Sequence, residues 1–180
     1  HGDTVSLEIV TPQERDESVN VEGTDTRYSF TRWSDGSTAK ARTITATGNL
    51  SLTAQMKSEY LVSVSSAVAS IPGSGWYEKG SSLTLTAPQV EGFSFLNWTV
   101  NGEILTDNPL QINVDSPKKA IVKYNAIPTL EIPDQTVSTG TNLVIDLRNF
   151  ASDSDSDPIV FSKVSGVGTI SGNQFSYNAT

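Results

Sequence analysis

The chain has 180 residues, with 20 acidic against 12 basic side chains, a net charge of −8, one His and no Cys. That balance excludes nucleic-acid binding, which needs clustered Lys and Arg, because the longest basic run is Lys118-Lys119. Disulfides, thiolate nucleophiles and zinc–thiolate sites are excluded as well, and no uninterrupted apolar run is long enough to span a membrane as a helix.

No charged–apolar–small leader opens the chain, so its start reads as a processed terminus or an engineered boundary. The sole His is His1, and a Ser–His–Asp arrangement would have to recruit it. There is no Asp-Thr-Gly or Asp-Ser-Gly loop and no phosphate-cradling Gly-rich loop before a helix. The expectation is a protein that is not an enzyme.

Alternation with period two then governs the chain. Strands are expected at Thr4–Ile9, Leu61–Val64, Ser82–Thr86, Lys119–Tyr124 and Asn142–Leu147, each bounded by turn residues. No stretch keeps helical apolar spacing over a dozen residues. The predicted class is all-β, built of tandem small antiparallel sandwich or roll modules with little or no helix.

An internal repeat refines this. Tyr28-Ser29-Phe30-Thr31-Arg32-Trp33 matches Phe93-Ser94-Phe95-Leu96-Asn97-Trp98 at an offset of 65 residues. Turn dipeptides follow, Asp35-Gly36 and Asn101-Gly102, both strong hairpin signals. Each copy then reaches a closing strand, predicted at Asn49–Ala54 in the first and Lys119–Tyr124 in the second. Upstream, Gly2–Leu7 matches Gly80–Leu85, and the first copy carries extra polar residues within Thr11–Arg27. Trp98 falls on the opposite parity to Phe93 and Phe95, so a bulge near Asn97 is expected to turn all three into one core. The predicted boundaries are 1–59, 60–125 and 126–180.

From Tyr60 to Tyr124 the chain resembles the divergent B-repeat of internalin-type bacterial and archaeal surface proteins. The matching pieces are the strand ending near Ser65, Gly73-Ser74-Gly75-Trp76-Tyr77-Glu78-Lys79-Gly80, Leu83–Ala87, Gly92-Phe93 to Trp98, and Ile121–Tyr124. Residues 2–59 resemble a second copy that lacks its first strand. Residues 127–180 resemble the start of a cadherin-like or immunoglobulin-like surface domain, through Pro133–Val137, Leu143–Leu147 and Phe150–Asp157. Complete sandwiches of that kind run to about 90–100 residues, so this one is expected to be incomplete. The resemblance implies an extracellular, cell-surface location and a modular role.

Asp153, Asp155 and Asp157 are the sharpest chemical feature. Carboxylates at i, i+2 and i+4 in a loop can converge on a hard cation, and the candidate is Ca2+, with Asp134 and backbone carbonyls completing the shell. The competing reading is a solvated acidic turn before Pro158. Trp76 and Tyr77, beside a Gly-rich turn, could stack on a sugar, or else one fills the core while the other anchors the turn. Sequons at Asn49, Asn97 and Asn178 are no more than composition alone supplies.

The expected function is a spacer, surface-layer lattice unit or adhesin stalk that associates with itself or with neighbouring surface modules. The alternative is an accessory carbohydrate- or cell-wall-binding module of a secreted hydrolase, with polysaccharide as partner. Incomplete end modules with exposed edges favour strand exchange between chains, and truncation of a longer chain accounts for the same features.

Overall fold

A computed structural model of the chain describes residues 2–10, 13–14 and 25–180. His1 and most of the extra polar stretch Thr11–Arg27 lie outside the described residues. The protein is all-β. Its helical element among the described residues is a single 3-10 turn, Leu147–Asn149, and no described helix is long and apolar enough to cross a membrane.

The chain divides into two compact units. The first holds the described residues up to Pro88 together with Asn97–Lys123, and the second holds Gln89–Leu96 with Tyr124–Thr180. In chain order the strands of the first are β1 (Asp3–Glu8), β2 (Gln13–Glu14), β3 (Thr26–Trp33), β4 (Ala41–Ala46), β5 (Ala54–Ser66), β6 (Gly75–Glu78), β7 (Ser81–Leu85), β8 (Phe93–Val100), β9 (Glu103–Leu105), β10 (Leu110–Val114) and β11 (Lys118–Ala126). The polypeptide of β8 and of β11 is shared between the units.

Two antiparallel ribbons accompany the main sheet. In one, β1 pairs with β4, placing Val5 opposite Ile44. In the other, β7 pairs with β10, placing Leu83 opposite Ile112 and Leu85 opposite Leu110. The main sheet runs β2-β3-β5-β11-β8-β9, with β6 also on β5. Matching segments of the repeat thus take matching places: β1 and β7 each form a ribbon, and β3 and β8 both lie in the main sheet.

The 13-residue strand β5 organises this unit. No Gly, Pro, Asn or Asp occurs between Asn49 and Pro72, so nothing in the local sequence breaks the extended chain. Its first half pairs antiparallel with β3, from Ala54 opposite Trp33 to Tyr60 opposite Thr26. Its second half pairs parallel with β11, from Val62 opposite Lys118 to Ser66 opposite Val122. Strand β6 pairs with Glu59–Val62 and so overlaps both neighbours. A strand has only two edges, so β3 and β11 share one edge of β5 end to end and β6 takes the other.

This corrects one predicted element. The closing strand of the first copy does not span Asn49–Ala54, where residues 49–53 are irregular. It starts at Ala54 and runs without interruption into the opening strand of the second copy. The reason lies in the preceding turn. Ser34 N donates to Thr53 O at 2.8 Å, and Thr53 N donates to Ser34 Oγ at 3.1 Å. These bonds tie the segment to the turn after β3 and leave pairing to begin one residue later.

The two glycine turns diverge for visible reasons. Asn101 (φ 49°) and Gly102 (φ 90°) form the expected two-residue connection between β8 and β9. The Asn101 side chain then braces the start of β11: its Oδ1 accepts from Lys119 N at 2.7 Å and its Nδ2 donates to Pro117 O at 2.9 Å. After Asp35-Gly36 no such hairpin follows, because β4 pairs with β1 rather than β3. The loop instead folds back on Trp33, whose indole N–H donates to Ala39 O at 2.8 Å. Asp35 holds the loop by accepting from Ser37 N at 3.1 Å and from Arg42 at 2.9 Å.

Val62, Leu85, Trp98, Val114, Ala120 and Val122 form the most deeply buried part of this unit. A bulge lies in the first copy between Phe30 and Arg32, at the place that corresponds in the repeat to Asn97. It brings Phe30 and Trp33, three residues apart, into the interior with ring centroids 5.5 Å apart. In β8, Trp98 and Val100 are buried while Phe93 and Phe95 are half-buried.

The second unit adds β12 (Thr129–Leu130), β13 (Asn142–Asp146), β14 (Ala151–Ser152), β15 (Thr169–Ser171) and β16 (Gln174–Asn178). Strands β13, β16 and β15 form an antiparallel sheet, and β12 pairs with β14. Asp146 caps the 3-10 turn by accepting from Arg148 N at 3.1 Å and pairs with the Arg148 guanidinium. Ile145 and Leu147 are buried. They line an apolar cleft of about 290 Å³ with Leu130, Ile132, Phe161, Ile170 and Phe175.

Candidate functional site

The joint along β5 carries the densest polar chemistry of the described residues. Glu59 is buried although charged, a state that needs full pairing. The register supplies it. Arg27 stands opposite Glu59, and Ser29 lies two residues further along the same face of β3. Arg27 Nε and Ser29 Oγ both donate to Glu59 Oε2, at 2.9 and 2.7 Å. On the other flank, Glu78 of β6 faces Glu59, a like-charge pairing that would repel. Lys57 bridges it, 3.3 Å from Glu59 and 3.2 Å from Glu78. The Ser29 hydroxyl, with help from Arg27 and Lys57, holds the Glu59 carboxyl down at about 2. Such a carboxylate carries no proton near neutrality and is a poor general acid or base. The arrangement suits a fastening.

Arg27 also covers one face of the aromatic candidate Trp76. Its guanidinium stacks 4.6 Å from the centroid of the Trp76 ring, a cation–π contact. Tyr77 donates its hydroxyl to Gly73 O at 2.9 Å and so pins the Gly-rich turn. Gly73 itself has φ 119°, and a Cβ there would meet Leu85 at 2.8 Å, so only glycine fits. Trp76 and Tyr77 are both half-buried.

The acidic loop lies in the second unit. Asp153 Oδ1 accepts from the amides of Asp155 at 3.1 Å and Asp157 at 3.3 Å, closing an Asx-type turn in which Ser156 takes φ 65°. Asp155 reaches the other way and accepts from Ala126 N at 2.9 Å. The two carboxyl groups also bond to each other, which raises Asp153 above the usual carboxylate range and lowers Asp155 below it. Asp153 and Asp155 therefore come together. Asp157 joins through its amide, and Asp134 is not among their bonded partners. Among the described residues no three His, Cys, Asp or Glu side chains converge as metal ligands. Of the four predicted calcium ligands, Asp153 and Asp155 are the two whose carboxyl groups meet.

Sequence reasoning missed the Glu59 cluster. Arg27 and Ser29 lie about thirty residues away, and only the strand register brings them to Glu59. The weak signal was a charged alternation, Lys57 then Glu59, inside a run free of turn residues.

Comparison with known proteins places one segment. Residues 60–128 match the family described as Divergent InlB B-repeat domain, the part of the chain that runs from within β5 to just past β11. Repeats of this family are non-catalytic and associated with bacterial surface proteins. No curated protein and no solved structure matches the chain.

Proposed function

We propose that this chain is a structural segment of a cell-surface protein, a spacer, lattice unit or adhesin stalk without an enzymatic role. The observation that carries this reading is the match of residues 60–128 to a surface-repeat family. Strand β5 supports it, because a strand common to both copies of the repeat makes a stiff extension rather than a hinged string of modules. An antibody raised against residues 60–128 is expected to label intact cells of the organism that encodes the chain. Labelling only after permeabilisation would remove the surface reading.

Within the same proposal, residues 127–180 are the start of a cadherin-like or immunoglobulin-like surface domain, and Asp153 and Asp155 with nearby backbone carbonyls are its calcium-facing pair. Calcium would offset the repulsion between the two carboxylates and keep the loop fastened to Ala126. The melting temperature of the purified chain is then higher in calcium than in EDTA, and Asp155→Asn removes the difference. Equal melting temperatures for the wild type in both would end the calcium reading.

A further inference from the structure

We infer that the parallel pair β5–β11 is a mechanical clamp, so that the segment bears tension along the chain as well as filling distance. The inference rests on the surface-spacer reading for its biological setting, and on geometry alone for its physics.

In the second copy of the repeat the opening strand and the closing strand are direct neighbours and run parallel, with five successive residue pairs from Val62–Lys118 to Ser66–Val122. Chain therefore enters this pair at one end and leaves at the opposite end. Tension drawn along the polypeptide pulls β5 and β11 in opposite directions along their own axes. Every rung of the ladder is loaded together, and none opens until all yield. An antiparallel terminal pair would instead unzip one rung at a time.

Two further features brace the clamp. Leu61 N donates to Asp25 O on the β3–β11 edge, and Val64 N donates on the opposite edge, to Ser74 Oγ at 2.8 Å. Successive amides alternate sides, so the amides of Ser63 and Ser65 face β11 and belong to the ladder. At the trailing end of β11, Asn101 grips both Pro117 and Lys119, with Asn101 N also donating to Lys119 O at 3.0 Å. Sliding of β11 would have to break this grip too. Behind the ladder, Val62, Ala120 and Val122 are buried, which keeps water from replacing the rungs as they stretch.

The absence of Cys makes the test clean, because engineered thiols are the sole attachment points. Thr53→Cys with Lys123→Cys, both exposed, pulls along the strand axes and shears the pair. Ala67→Cys with Lys123→Cys, also exposed, pulls the same two strands apart from one end. Single-molecule force spectroscopy on the full chain is expected to give an unfolding force several-fold higher for the first pair than for the second. Equal forces along the two axes, with circular dichroism showing both variants folded, would overturn the clamp. Neither result bears on where the protein resides, so a failed clamp and a failed surface assignment are told apart.

Discussion

Trp98→Ala is expected to cost about 3–5 kcal/mol of folding stability, the range for truncating a buried large aromatic side chain. Trp98 has no exposed surface and is the largest fully buried side chain among the described residues. A domain is typically stable by only about 5–15 kcal/mol, so this one change removes a large share and moves the urea midpoint well down. Trp98→Phe is expected to cost much less. The indole N–H has no hydrogen-bond partner among the described residues, so the smaller ring loses volume but also removes a buried donor that is costly to leave unpaired. If Phe and Ala are equally damaging, the volume that Trp98 fills is not what sets its contribution.

Acid is expected to loosen the β3–β5 joint through Glu59. Its carboxyl sits at about 2 in the folded chain against an ordinary value of 4.5. A carboxyl lowered by folding stabilises the folded state fully above its unfolded value, and that stabilisation is lost as pH falls from about 4.5 through about 2. The loss amounts to about 1–2 kcal/mol once the partial exposure of Lys57 and Arg27 is allowed for. Glu59→Gln removes most of this slope and lowers stability at neutral pH by a similar amount, because Arg27 then stacks on Trp76 without its carboxylate. Urea unfolding at a series of pH values measures both. An unchanged pH slope in Glu59→Gln would show that other carboxylates govern acid unfolding.

The strands were legible because their alternation is local. Thr4–Ile9, Ser82–Thr86, Lys119–Tyr124 and Asn142–Leu147 each became a strand within a residue or so. Asn101-Gly102 was legible for the same reason, since the turn type is dictated by two residues that accept positive φ. What escaped was register. Nothing local says that Glu59 will stand opposite Arg27, or that β3 and β11 will line up along one edge of β5. The change of repeat copy near Tyr60 suggested a break, whereas the physical requirement for one, a turn residue, is missing across the whole of β5. The Asp triplet shows the same limit. Spacing at i, i+2 and i+4 places three carboxylates near each other, yet the left-handed Ser156 and the capping role of Asp153 spend the geometry on backbone amides and on Ala126.

Hydrogen exchange along β5 tests most directly whether the two repeat copies form one body through a common strand. If they do, the protected amides on both sides of Tyr60 open with the same free energy, and Trp98→Ala, a change in the second copy, lowers protection in the half paired with β3 as much as in the half paired with β11. Two separate opening energies, with the β3-paired half untouched by Trp98→Ala, would show independent modules and contradict a continuous load-bearing segment.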